Sequence, residues 1–274
     1  MNILIYGATG YIGNKLSEHL LSLGYSVGNV GRRNSRFDCV ENYLFDDDIN
    51  EIISTFKPDK IIYMTACFDN NDVSNIVDIN IKKPLEILKS LEVNSFIEFI
   101  YIGSYWQFGN KDKPNIPIDL YSATKSAIVS FLDFYNEYSS VSCKEIVLFG
   151  TYGESDGRGK LLDYLIEMSN SNKIVSLTEG YQELNLVHVK DVCMSIEKIL
   201  QLRKGKKFQV LSKVSYTPRD LVRIIQKYQP INVEFGKLEY RSVELMRICN
   251  QPSYQPFISE DNLITYIKSK LKSV

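Results

Sequence analysis

Histidine, tryptophan and net charge are all scarce in this chain. It has two histidines, one tryptophan, and 32 basic against 33 acidic residues, for a formal charge of −1. So even a balance argues against a nucleic-acid or membrane-surface partner, because both select a basic face. His19 and His188 differ too much in context to pair around a metal, and no metal site is expected. The five cysteines (Cys39, Cys67, Cys143, Cys193, Cys249) are odd in number and lack C-x-x-C spacing. That excludes a disulfide framework and a zinc cluster and leaves buried thiols. Apolar runs such as Ile61 to Cys67 fall far short of the roughly 20 residues that span a bilayer. The N-terminus has neither the basic region nor the cleavage site of a signal peptide, so a cytoplasmic protein is expected. Internal repeats and low-complexity tracts are also missing.

What is present is a core. With 274 residues, 44% of them apolar, the chain can build one large α/β domain or a main domain with a small lobe. Asn2 to Tyr6 is a short apolar run that passes into Gly7-Ala-Thr-Gly10-Tyr-Ile-Gly13. A helical pattern follows, with Ile12, Leu16, Leu20 and Leu23 on one side. Strand, glycine turn and helix in that order form a dinucleotide cradle. Glycine permits the tight turn, the approach of backbone to pyrophosphate and the packing of helix on strand, while the helix N-terminus offers free N–H groups to the anion. The glycines are spaced G-x-x-G-x-x-G.

The alternation continues. Strands are predicted at Ser26 to Val30, Tyr43 to Phe45, Lys60 to Met64, Phe96 to Ile102 and Lys144 to Phe149, with helices at Val73 to Leu91, Leu120 to Tyr138, Leu161 to Met168 and after Asp191. The fold class is therefore α/β: a Rossmann-type doubly wound parallel sheet with a smaller C-terminal lobe. Residues 1–150 with roughly 187–204 are assigned to the dinucleotide-binding domain, and 151–186 with 205–274 to the small lobe. Ligands belong beyond the carboxyl ends of the strands.

Several residues there carry chemistry. Tyr121 and Lys125 stand four apart on a predicted helix, so phenol and ammonium share one face. Ser104, at the end of the strand from Phe96, is placed to polarise a carbonyl beside Tyr121. Gly31-Arg32-Arg33 ends the second strand without the acid that would hold ribose hydroxyls. Either the two guanidiniums clamp a 2′-phosphate, which selects NADP(H), or they form a solvated basic turn. Asp46 or Asp47 suits the adenine amino group, with helix capping the alternative for this acidic run.

Glycines 7, 10 and 13, Ser104 and the Tyr121/Lys125 pair resemble an extended short-chain dehydrogenase/reductase of the NAD-dependent epimerase/dehydratase group. The resemblance covers nearly the whole chain. Within the group, the stretch from Val233 through Met246 is similar to 4-ketoreductases of the CDP-abequose and CDP-paratose synthase type. The resemblance implies a catalytic triad of Ser104, Tyr121 and Lys125, with Lys125 also on the nicotinamide ribose. It implies further cofactor contacts from Thr9, Tyr11, Ile12, Thr65 and Ala66. Arg241 is implied at the diphosphate of a nucleotide-sugar substrate, and Asn80 near the active site as a substrate contact, with a polar helix residue the alternative. Tyr105 and Trp106 form an apolar wall for substrate or an aromatic pair supporting the sheet. A homodimer is implied as well.

Departures from the family narrow the chemistry. Dehydratases carry Asp-Glu directly after the Ser/Thr, where Tyr105 and Trp106 stand here. The GDP-fucose-synthase type has a cysteine at the position of Trp106 and a catalytic histidine where Gly150 and Thr151 lie. The family's Arg-x-x-Asn/His-x-Tyr-Gly pattern survives only as Val147-Leu-Phe-Gly150-Thr-Tyr152-Gly153, without its usual polar contacts to the substrate. What remains is simple ketone reduction or 4-epimerisation, and the resemblance implies NADPH-dependent reduction of the 4-keto group of a nucleotide-linked 4-keto-6-deoxy sugar, for surface polysaccharide. The alternatives are a 4-epimerase with tightly held NAD and a non-catalytic NADP sensor or scaffold.

Overall fold

The computed structural model describes residues 1–94, 96–171 and 173–271. Its eight main strands are β1 (Asn2–Tyr6), β2 (Ser26–Gly31), β3 (Glu41–Leu44), β4 (Lys60–Tyr63), β5 (Glu98–Ser104), β6 (Cys143–Leu148), β7 (Lys207–Ser212) and β8 (Gln255–Ser259). They form one sheet in the order β8-β7-β6-β5-β4-β1-β2-β3. Every pairing is parallel. After β3 the chain returns past β1 to build outward through β4, so the order reverses between β1 and β4. That reversal opens a crevice at the carboxyl edge.

Residue alternation along the strands divides the core. Ile3 and Ile5 of β1 face one side, against Leu16 and Leu20 of α1 (Tyr11–Ser22) and Val192 and Ile196 of α7 (Val189–Gln201). Leu4 and Tyr6 face the other, against Ile52 of α2 (Ile49–Phe56), Leu88 of α4 (Lys83–Leu91) and Ile128 and Leu132 of α5 (Leu120–Tyr138). Each fully buried side chain of this size contributes about 1.5–3 kcal/mol. A third core joins Leu165 of α6 (Leu161–Ser169), Leu221 and Ile225 of α8 (Pro218–Gln226) and Ile267 of α9 (Leu263–Leu271).

The structure moves one expected boundary. Residues 207–212 and 255–259, expected in the small lobe, are strands of the main sheet. Five of the six residues in Lys207–Ser212 are buried, because β7 is covered on both edges and both faces, yet its sequence includes polar Gln209 and Ser212. The expected single helix from Val73 to Leu91 is also interrupted. A π turn at Asp78–Lys82 separates α3 (Val73–Val77) from α4. Hydroxyls of Tyr63 and Tyr101 donate to the carbonyls of Ile79 (2.5 Å) and Asn80 (3.3 Å), pinning that turn to the sheet. Among the described residues no helix is long and apolar enough to cross a membrane.

Candidate active site

The glycine turn sits at the crevice. Gly7 has φ +90, which an L side chain rarely adopts, and a Cβ there would lie 2.9 Å from the Thr65 hydroxyl. A Cβ on Gly13 would stand 2.2 Å from the Gly7 carbonyl, so only glycine lets α1 pack so close to β1. Helix α1 starts with no side-chain cap and no acid in its first turn. Its leading N–H groups therefore remain for an anion. Around them the hydroxyls of Tyr11 and Thr65 and the Oδ1 of Asn29 are buried without a hydrogen-bond partner. Such orphaned atoms fit a polar ligand laid across the turn. Ile12 packs into the core behind, Thr9 faces the end of β2 at Gly31, and Ala66 is half-buried in the loop after β4.

At the end of β2, Arg32 and Arg33 are exposed. Neither forms an ion pair among the described residues, whereas Arg36 pairs with Glu18 at 3.3 Å. The acidic run divides its work. Asp47 accepts from the Leu44 N–H, Asp48 caps α2 through Asn50 N–H, and Asp46 is exposed and uncommitted.

Three side chains meet at the carboxyl edge of β5. Ser104 closes the strand, and its Oγ accepts from the Trp106 N–H at 3.4 Å, which leaves its own proton to donate. Tyr121 stands in the first turn of α5 beside the Ser104 side chain. Burial pushes its phenol up to about 12, against the Ser104 hydroxyl, which pulls it down. It is thus held protonated at neutral pH. Lys125, one turn on, is 2% exposed, donates to the Ile102 carbonyl at 2.8 Å and lies 4.4 Å from the Tyr101 ring centre. Burial lowers it to about 7, opposed by the charge of Glu145. The loop after β4 covers this group from outside. The Phe68 ring lies 4.6 Å from that of Tyr121, and Asn70 Oδ1 accepts from the Tyr121 N–H at 2.8 Å.

Asn80 departs from its expected place at the substrate. It is fully buried in the π turn, its Oδ1 accepts from Cys67 N–H (2.9 Å), and its Nδ2 donates to Cys67 O (3.0 Å) and Thr124 Oγ1 (2.9 Å). With those bonds made, it ties the β4 loop to α5 and has no donor left for a sugar. Tyr105 stacks on Phe149 at 4.9 Å, so it backs the site, whereas the Trp106 ring carries the Arg241 guanidinium at 5.2 Å. Arg241 also donates two bonds of 3.1 Å to Glu244.

Two cations near Arg241 escaped the sequence reading. Arg158 lies 4.4 Å from the Tyr11 ring centre and donates to the Thr151 carbonyl at 2.9 Å. Lys160 has its ammonium disfavoured by burial and by Arg158 and Arg241 nearby. Their sequence signal was the Arg158-Gly159-Lys160 run, in a loop that also contains Gly153 and Gly157.

A parallel sheet, a glycine turn at its switch point and a Ser, Tyr and Lys beside it define an NAD(P)-dependent enzyme of the short-chain dehydrogenase/reductase type. The chain belongs to the NAD dependent epimerase/dehydratase family, which it matches over residues 3–211. It is 31% identical to CDP-abequose synthase of Yersinia pseudotuberculosis, across 99% of this chain and 100% of that one. It is 26% identical to CDP-abequose synthase of Salmonella typhimurium, across 89% and 87%. In fold it is similar to UDP-glucuronic acid 4-epimerase from Bacillus cereus, solved with UDP-glucuronic acid and NAD. That likeness has a TM-score of 0.83 at 17% identity over 99% and 98% of the two chains.

Proposed function

We propose that this protein is an NADPH-dependent reductase of the 4-keto group of a nucleotide-diphosphate 4-keto-6-deoxy sugar, supplying a deoxyhexose donor for surface polysaccharide from the cytoplasm. The observation that carries the reading is the full-length likeness to CDP-abequose synthase, with the Ser104, Tyr121 and Lys125 set entire and no acid directly following Ser104 in sequence. The unpaired Arg32 and Arg33, with no carboxylate at the end of β2, support NADP over NAD.

NADPH, when bound, supplies the hydride. Tyr121, kept protonated by burial, delivers its proton to the developing alkoxide as general acid. The free proton of Ser104 stabilises that oxygen. Lys125 holds the nicotinamide ribose and replaces charge at the phenol as its proton leaves. Arg241 beside Trp106, with Lys160 near it, suits the phosphates of the substrate, while Arg158 is already paired with Asp156. Tyr105 and Trp106 in place of an Asp-Glu pair leave no second acid–base couple for dehydration.

Phe131, Phe134 and Tyr138 form an exposed apolar face on α5 and support a homodimer, which sedimentation will test. The deciding assay is loss of NADPH absorbance with CDP-, dTDP-, GDP- and UDP-linked 4-keto-6-deoxy sugars. Turnover with one of these is expected. A purified protein that carries NAD and interconverts 4-epimers without net cofactor use is instead an epimerase, the reading favoured by the family's name.

A further inference from the structure

Beneath Ser104 lies a buried acid with no part in the mechanism above. Glu145 of β6 is 1% exposed, Gln107 3% and Tyr254 6%. The Ser104 N–H donates to Gln107 Oε1 at 3.0 Å, which fixes the orientation of that amide, and Gln107 Nε2 then donates to Glu145 Oε1 at 2.6 Å. The Tyr254 hydroxyl donates to the other carboxylate oxygen. Burial raises the carboxyl's pKa, and the two donors aimed at it oppose that shift and favour its anion. Gly103 belongs to the same construction, because a Cβ there would lie 2.8 Å from both Gln107 Oε1 and Glu145 Oε1. The strand leaves room at Gly103 for this chain of bonds to reach Ser104.

We propose that Glu145 is a positioning residue for the reaction: its carboxylate fixes the Ser104 backbone through Gln107 and places a buried negative charge next to Tyr101, on whose ring the Lys125 Nζ lies. Lys125 faces Tyr101 and the Ile102 carbonyl from β5 and Tyr121 from its own helix, and Glu145 of β6 is the cross-strand partner of Tyr101. Glu145 is the charged group that favours the protonated lysine. Tyr254 and Gln107 face Glu145 directly, with Lys207 and Asp133 acting on it from farther out. A carboxylate there serves two elements at once. It orders the strand end that presents Ser104, and it sets the charge of the group that serves the phenol. What these groups do in turnover rests on the reductase reading.

Glu145→Gln keeps the shape and removes the charge. The alkaline limb of kcat/KM against pH is expected to move acid-ward by about one pH unit, a roughly tenfold loss above the limb. NADPH affinity at pH 6, read by its fluorescence, should stay within about twofold of wild type. A limb that stays in place or moves alkali-ward overturns the charge role, because loss of a negative charge lowers the pKa of a neighbouring group. Gln107→Ala leaves the carboxylate and cuts its link to Ser104. It should lower kcat about tenfold with the limb unmoved, and unchanged kcat overturns the positioning role, including when Glu145→Gln does not fold. If the wild-type protein reduces none of the 4-keto sugars, the reductase reading fails. The pH dependence of NADPH affinity then tests Glu145 alone, since affinity should fall as Lys125 loses its proton, and earlier in Glu145→Gln than in wild type.

Discussion

Lys125→Met is expected to stabilise the protein at neutral pH while it abolishes turnover. Burial lowers the lysine from its ordinary 10.5 to about 7. Between those values the unfolded chain binds a proton that the folded chain does not, so wild-type stability rises with pH across the window and levels off above it. From the two protonation equilibria, a lysine in this site costs about 4 kcal/mol at pH 7 and about 2 kcal/mol at pH 9. Methionine fills a similar volume without the charge. It forfeits the 2.8 Å bond to the Ile102 carbonyl and the Tyr101 ring contact, which together offset about 2 kcal/mol. The variant should therefore be about 2 kcal/mol more stable at pH 7 and close to wild type at pH 9. Urea unfolding of both proteins at both pH values measures this by linear extrapolation. The change in the stability difference between the two pH values is the sharper quantity, because the packing lost with the side chain enters equally at each. A difference that stays constant or grows at pH 9 refutes a depressed lysine in this site.

Four further outcomes test other parts of the site. Tyr121→Phe should lower kcat by about 10³-fold or more with NADPH affinity unchanged, and a stopped-flow trace with wild-type turnover contradicts its role as proton donor. Arg32→Ala with Arg33→Ala should weaken NADPH binding about 100-fold and leave NADH binding within twofold, both read by fluorescence titration; equal losses for the two cofactors remove the 2′-phosphate assignment. Asn80→Leu leaves the Cys67 N–H and carbonyl unpaired and should cost about 2–4 kcal/mol in urea unfolding. Its KM for the sugar nucleotide should change little, and a large rise in KM with unaltered stability restores Asn80 to the substrate. Gly13→Ala forces a Cβ to 2.2 Å from the Gly7 carbonyl and should abolish NADPH binding or folding, as circular dichroism and fluorescence will show.

The sequence by itself carried the fold class, the glycine turn, the Leu120–Tyr138 helix and the nomination of Ser104, Tyr121 and Lys125. All of these are local or periodic signals: a hydrophobic repeat, glycine spacing, two residues one helical turn apart. It could not place Asn80, because a buried amide and a substrate-facing amide are the same letter, and only the loop at Cys67 and the helix at Thr124 show which it is. Nor could it place Lys207–Ser212 in the main sheet, since its burial comes from neighbouring strands more than 40 positions away in either direction. The same holds for chemistry. Glu145 reads in sequence as one more charged residue in a strand, and Gln107 as a polar residue after an aromatic pair. Tertiary structure alone brought them under Ser104, because a carboxylate survives inside a protein only where distant segments deliver donors to it. The tyrosine and lysine were thus legible from their spacing, while their protonation was decided by burial and by Glu145, which belong to the fold.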